Sequence, residues 1–196
     1  MKLLAFTDTH SDFKTFSKVL KKAEKAQPDI IISAGDLAHE EQDLRKIIKQ
    51  LRQLKIMILL IHGNYEDPNA MQQLCSDNVI FLHKRTYSIG NYTFFGYGGG
   101  GFAQQDAKLE SFIPKIKKVA KENLICIMHM PPYNTLLDYL PISKRHAGSV
   151  SETRLIKELK PALFICGHLH ENFSKQDKIR KTTIINPGPE GQIIEV

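Results

Sequence analysis

Runs of Ile, Leu and Val recur along the chain and alternate with stretches that place one apolar residue every three or four. Leu3–Thr7, Ile30–Ser33 and Ile56–Ile61 are short and apolar throughout, which predicts strands buried on both faces. Between them, residues 12–26 and 40–53 carry the helical spacing. A strand-helix-strand-helix-strand opening predicts a parallel sheet joined by right-handed crossovers. A short helix near 68–75 follows, with Pro68 in its first turn.

The pattern changes in the middle. Val79–Leu82, Thr86–Ile89 and Tyr92–Tyr97 read as short strands, with Gly90-Asn91 as a hairpin turn. Gly98–Gly101 reads as a flexible connection, because it lacks the Lys-Ser/Thr that completes a phosphate-binding loop. A helix is expected over 108–121, then buried strands at Leu124–Met128 and Leu163–Cys166 with a helix over 149–159 between them. The tail, Glu171–Val196, reads as antiparallel, turning near Asp177-Lys178 and again at Asn186-Pro187-Gly188-Pro189. With no repeat or linker in view, the expectation is one α/β domain over residues 1–196, built of two packed mixed sheets with helices outside.

Composition narrows the class without naming the chemistry. Hydrophobic residues at 42% and charged residues at 24% are ordinary for a water-soluble globular domain. No apolar run is long enough to span a bilayer, and residues 1–10 read as a strand and not as a signal peptide, so no membrane association is expected. Cys75, Cys126 and Cys166 have no paired spacing; they suit reduced thiols and a cytoplasmic location. The net charge of +6 invites an anionic partner. Yet many of the lysines fall on the polar side of the 12–26 helix, with no interleaved aromatics, so a solvated outer face is favoured over a nucleic-acid patch.

The chemistry sits where apolar runs end. Asp8-Thr9-His10, Gly35-Asp36, Gly63-Asn64, His129 and His168-Leu169-His170 each follow an expected strand, and carboxyl ends of strands gather in one crevice of a sheet. Asp8, His10, Asp36, Asn64, His129, His168 and His170 together are too many ligands for one tetrahedral ion. They suit two divalent ions sharing a bridging carboxylate. Imidazole with carboxylate and amide oxygen fits manganese, the first expectation, or iron, zinc, nickel or cobalt. The lack of a cysteine ligand argues against a structural zinc site. Two divalent ions outweigh two carboxylates, so the site attracts an anion, and paired metals clamp both oxygens of an in-line displacement at phosphorus. The expected partner is therefore a small phosphate ester.

In order, the chain reads DTH, GD, GNYE, MHMPPY and GHLH. This series resembles the calcineurin-like metallophosphoesterases, with their D-x-H, G-D, G-N-[HC]-[DE], lone H and G-H-x-H, and in particular their small single-domain phosphodiesterase-like members. The resemblance runs from Asp8 to Pro187-Gly188. It implies a β-sandwich of two mixed sheets flanked by helices in αββα layers. It implies one metal on Asp8, His10, Asp36 and His170, with Asp36 bridging to a second on Asn64, His129 and His168. A hydroxide bridging the two metals would attack phosphorus, in diesters more than monoesters, while Asn64 and His129 stabilise the developing charge. Two other readings are kept in view: a metal-binding regulatory or scaffold protein with little catalysis, and a DNA nuclease, whose binding would weaken steeply with salt.

One position departs from the pattern. Many members place histidine after the G-N pair, where it protonates the leaving group; here the residue is Tyr65. A phenol donates a hydrogen bond at neutral pH but shuttles protons poorly. His39 and His146 are the expected stand-ins, against the plainer reading of both as loop histidines. His62 and His83 are read as structural or solvent-facing.

Overall fold

The computed structural model describes residues 1–101 and 103–196. Its first half runs β1 (Lys2–Phe6), α1 (Phe13–Ala26), β2 (Ile30–Ser33), α2 (Glu41–Gln53), β3 (Met57–Leu60), α3 (Pro68–Leu74) and β4 (Val79–Phe81). The hairpin β5 (Arg85–Ile89) and β6 (Tyr92–Tyr97) follows, then α4 (Ala107–Val119) and β7 (Asn123–Met128). Two very short strands, β8 (Tyr139–Leu140) and β9 (Arg145–His146), precede α5 (Val150–Leu159) and β10 (Leu163–Ile165). A single tight turn of helix at His170–Asn172 leads to β11 (Gln176–Ile179), β12 (Thr182–Ile185) and β13 (Gln192–Glu195).

Two mixed sheets result. One has the order β13-β1-β2-β3-β4, parallel except where β13 runs against β1. The other has the order β11-β12-β10-β7-β6-β5, parallel inside with antiparallel strands at both edges. Alternation along each strand divides its side chains between two cores. Leu3, Ala5, Ile30 and Ile32 face inward and meet Phe94, Ile125, Ile127 and Ile165 of the other sheet. Leu4, Phe6 and Ile31 face outward under α1 and α2, while Cys126, Phe164 and Ile184 pack under α4 and α5. Helix, sheet, sheet, helix is the layering that buries every apolar strand face.

Local signals place the helices. Asp12 caps α1 by accepting from the Lys14 and Thr15 amides, Asp67 caps α3 with Pro68 behind it, and Ser149 caps α5. The lysines of α1 are not merely solvated. Lys18 pairs with the Glu190 carboxylate at 2.5 Å, and Lys22 donates to the Glu190 and Gly191 carbonyls, tying the helix to the turn before β13. Among the described residues no helix is long and apolar enough to cross a membrane. The three cysteines are free thiols.

The tail differs from its expected form in two ways. Asp177 and Lys178 lie within β11, and the chain turns at Arg180-Lys181, where Arg180 takes the left-handed φ of 57°. Asp177 instead accepts from the Leu136 amide at 2.8 Å, a contact that short-range turn chemistry cannot reveal. At 186–189 the chain then leaves one sheet and enters the other, so β12 runs parallel to β10 and only β13 closes the first sheet antiparallel. The Gly98–Gly101 connection is pinned at its start: the Gly98 amide donates to His83 Nδ1 at 2.8 Å and the Gly99 amide to the His62 carbonyl at 3.0 Å. That also gives His62 and His83 a structural role; their rings lie 4.5 Å apart.

Candidate metal centre

The segments that follow β1, β2, β3, β7 and β10 converge on one rim. The crevice expected at the end of one sheet is therefore shared by two, with β1–β3 supplying Asp8, His10, Asp36 and Asn64, and β7 and β10 supplying His129, His168 and His170. Turning a ligand inward immediately after a strand requires an unusual backbone. Asp8, His10, Asp36 and His168 all take left-handed φ angles, of 54°, 47°, 53° and 69°. Non-glycine residues visit that region rarely, and such outliers gather at functional sites. The glycines beside the ligands make room: a Cβ on Gly63 would stand 1.9 Å from Asp36 Oδ1, and one on Gly167 would stand 2.3 Å from Asp8 Oδ2.

The candidate ligands fall into two groups. In each of the sets Asp8, His10, His170 and Asp36, His129, His168, one donor atom per residue lies within 4.8 Å of the others. Asp36 Oδ2 stands 3.2 Å from His129 Nε2 and 3.8 Å from His10 Nε2, so it joins the two. Asn64 Oδ1 completes the second group, 3.1 Å from His129 Nε2 and 2.9 Å from His168 Nδ1.

The donor chemistry fits metal ions. His129 Nδ1 donates to the Ala34 carbonyl at 2.8 Å, which leaves the Nε2 lone pair of the neutral ring facing the oxygens of Asp36 and Asn64. His10 and His170 bring their Nε2 atoms within 3.1 Å of each other. Lone pairs converging in this way need a proton or a cation between them. Without a cation the protein takes protons. Burial opposes charge on His129, but the Asp36 and Asp8 carboxylates overcome it and raise its pKa to about 9. The hydrogen bond to Asp8 raises His170 as well. Burial, reinforced by the charge of His129, pushes His168 down to about 4, so this ring is neutral and ready to ligate. Burial also works against the Asp8 and Asp36 carboxylates, yet the surrounding imidazoles hold both below the usual range.

Glu66 braces the rim, and its role is not visible from sequence spacing. Buried beneath the β2 and β3 loops, its carboxylate accepts from the Asp36 amide at 3.1 Å, the Gly63 amide at 2.7 Å, the Ala38 amide at 3.1 Å and the Leu37 amide. Burial, with the Asp36 charge nearby, raises its pKa to about 7. The signal was the acid two places after Asn64 in the GNYE stretch. Besides the nearby Gly63 amide, it holds the backbone of Asp36, Leu37 and Ala38, about thirty residues away and outside any local pattern.

A cavity of about 550 Å³ opens over the ligands, lined by His10, Asp36, His39, Asn64, Tyr65, Leu140, His168, Leu169, His170 and Glu171. Two of the three expected proton donors are here. His39 stacks on His10 with centroids 4.7 Å apart, and Tyr65, 55% exposed, meets both rings edge-on. His146 is elsewhere. It sits on β9 with Nδ1 bound to the buried Asp138 at 2.7 Å, lining a separate hollow with Gln104 and Arg145. Among the described residues, the hairpin that carries it lines the candidate metal cavity through Leu140 alone.

A family model described as calcineurin-like phosphoesterase matches residues 1–172. An uncharacterized protein of Methanocaldococcus jannaschii is 26% identical over 205 residues, spanning 99% of this chain and 91% of its own. Among solved structures, a Thermus thermophilus protein superposes with a TM-score of 0.79 at 16% identity, over 96% of this chain and 90% of that one. A dimetal phosphatase from Danio rerio gives 0.67 at 10% identity, over 94% and 86%. An archaeal phosphodiesterase gives 0.52 at 16% identity, over 96% and 84%. At such identities the superpositions speak to the fold: two mixed sheets flanked by helices.

Proposed function

The chain belongs to the calcineurin-like phosphoesterase family, and from that premise we propose that it is a metal-dependent hydrolase of phosphate esters that prefers diesters to monoesters. The observation that carries the reading is the position of Asp36 Oδ2, within 3.2 Å of His129 Nε2 and 3.8 Å of His10 Nε2, so that one carboxylate belongs to both ligand groups. Asp8, His10, Asp36 and His170 would hold one divalent ion, and Asp36, Asn64, His129 and His168 the other, with manganese the first candidate. Such ions supply Lewis-acid charge for the phosphoryl oxygens and lower the pKa of water.

The chain's own residues set the rest. Both ring nitrogens of His129 are committed, Nδ1 to Ala34 and Nε2 to the ligand cluster, so His129 acts through what it holds and not as a direct donor to substrate. Asn64 turns Oδ1 into the cluster, leaving its amide nitrogen to donate to a phosphoryl oxygen. His39, in the same cavity as the ligands, is the better placed proton donor for the leaving group, with Tyr65 orienting it. The diester preference follows from charge. Among the described residues the cavity lining holds no Lys or Arg and does hold Glu171, which suits a monoanion better than a dianion. The same lining argues against a long nucleic-acid backbone as substrate.

The test is a screen of the manganese-reconstituted protein against aryl phosphate mono- and diesters, with Asp36→Ala as control. Diester hydrolysis should fall about 10³-fold or more in the variant. An unchanged rate would sink the two-ion assignment, and faster monoester turnover would overturn the diester preference.

A further inference from the structure

A second cavity, of about 410 Å³, lies where the glycine loop Gly99–Gly101 meets the first turns of α4 and α5. Its wall contains Glu152, which is 5% exposed and has no partner for Oε2 among the described residues. The carboxylate leans on its own backbone amide, and the local sequence explains why Oε2 is left over. Ser149 caps α5 and accepts from the Glu152 amide, an arrangement in which the glutamate ordinarily reaches back to the cap's own N–H. Here that N–H is already given to the Pro131 carbonyl at 2.9 Å. The neighbouring Asp106 is fully used: it accepts from the Tyr97 hydroxyl at 2.8 Å and from the Lys108 and Leu109 amides. Burial, with Asp106 adding to it, raises the Glu152 carboxyl to about 8.

The cavity adjoins the metal centre. Met130, in its wall, follows the ligand His129 in the chain. Gly100 lies against both: a Cβ there would stand 2.9 Å from Met130 Cγ and 3.5 Å from His129 Cδ2. Tyr97, Ala103, Ala107 and Met130 offer apolar surface, while Glu152 and Asp106 place two acidic groups in the wall against one solvent-exposed lysine, Lys108. An apolar stem ending in a positive N–H donor matches this wall, because an unpaired buried carboxylate is costly and a hydrogen-bonded cationic partner offsets part of that cost.

We propose that this cavity seats an organic arm of the substrate and that the arm carries an ammonium group paired with Glu152; the assignment rests on the phosphoester reading above. The experiment has two arms. In the first, the manganese-loaded protein is given two p-nitrophenyl phosphodiesters whose second substituents are 4-aminobutyl and the isosteric pentyl. Wild type should favour the aminobutyl ester by about tenfold in kcat/KM, equivalent to about 1.4 kcal/mol. Glu152→Gln should lose that preference while its rate on the pentyl ester stays within about twofold, given that the residue touches no metal ligand. Equal preference in the two proteins would overturn the proposal.

The second arm needs no turnover. Pentylamine is titrated into the metal-free protein while the Gly99–Gly101 amides and the Met130 methyl are followed by NMR. Shifts that saturate in wild type and weaken about tenfold in Glu152→Gln support the cavity. Equal shifts in both, or none in either, overturn it. Hydrolysis of neither ester, with pentylamine still binding through Glu152, would defeat the phosphoester reading and leave the amine site standing.

Discussion

Asp36, His129 and His168 form the inner group of candidate ligands, and Asp8, His10 and His170 the outer one, and the chain holds them differently. The inner side chains of Asp36 and His129 are 2% and 0% exposed, and each is fixed by backbone: His129 by the Ala34 carbonyl, Asp36 by the Tyr65 amide. In the outer group only Asp8 is comparably fixed, accepting from the Thr7 hydroxyl at 2.7 Å and the His168 amide. His170 rides on a single tight turn, its side chain 52% exposed and stacked on Phe173. His10 has a buried Nδ1 with no partner among the described residues. Imidazoles oriented by a second hydrogen bond bind metal better than unoriented ones. The inner position should therefore hold its ion tightly, and the outer position should exchange.

The contrast can be broken in three ways. The largest effect is expected from His129→Ala set against His170→Ala. The first should empty the inner position and lower turnover about 10²–10³-fold, while the second should weaken only the outer ion, about 10–100-fold. Metal content after dialysis, read alongside kcat, checks this; equal losses of both ions in the two variants would erase the distinction.

Glu66→Gln tests whether the brace, and not burial alone, makes the inner group tight. It keeps volume but loses one of the two oxygens that accept from the four amides. The expected result is about tenfold weaker binding of the inner ion, with little change at the outer one. Unaltered affinity would assign the tightness to desolvation.

The smallest effect is on thermal stability. In the metal-free protein His129 has its folded pKa raised to about 9 from 6.5, so its pairing with Asp36 stabilises fully below pH 6.5 and is lost as pH rises through 9. His168, lowered to about 4, has the opposite sign and costs stability as pH falls from 6.5 toward 4, outside this range. Chelated protein should thus lose a few degrees of Tm between about pH 6.5 and 9. Manganese-loaded protein should not, because the ion replaces the proton. Parallel curves with and without chelator would show that these protons and the metal do not compete.

The parts of this site that sequence made legible are those where residue type and strand end coincide. Asp8, Asp36 and Asn64 follow apolar runs whose ends are sharp, and the His168/His170 pair is its own signal. The strand-helix order of the first sheet was equally open, because Ile-rich runs and amphipathic stretches differ in period. What stayed hidden depends on contacts distant in sequence. Glu66 works on the Asp36, Leu37 and Ala38 amides of another loop, and Glu152 stands out because Ser149 spends its amide on Pro131. The β8-β9 hairpin has two residues per strand, too few to show alternation. His146 reads from sequence as a stand-in proton donor or a loop histidine; Asp138, eight residues before it, claims its Nδ1.

Glu66 has one more effect, on what the rim does when the ion is changed. Its single carboxylate gathers the amides of Asp36, Leu37 and Ala38 from one loop and Gly63 from another, which locks the carriers of Asp36 and Asn64 into one body. The spacing of Asp36 and Asn64 within the inner group is then a property of the polypeptide and not of its guest. Cations of different radius would then differ in how fully they occupy the inner position, while the spacing of Asp36 and Asn64 offered to them stays the same.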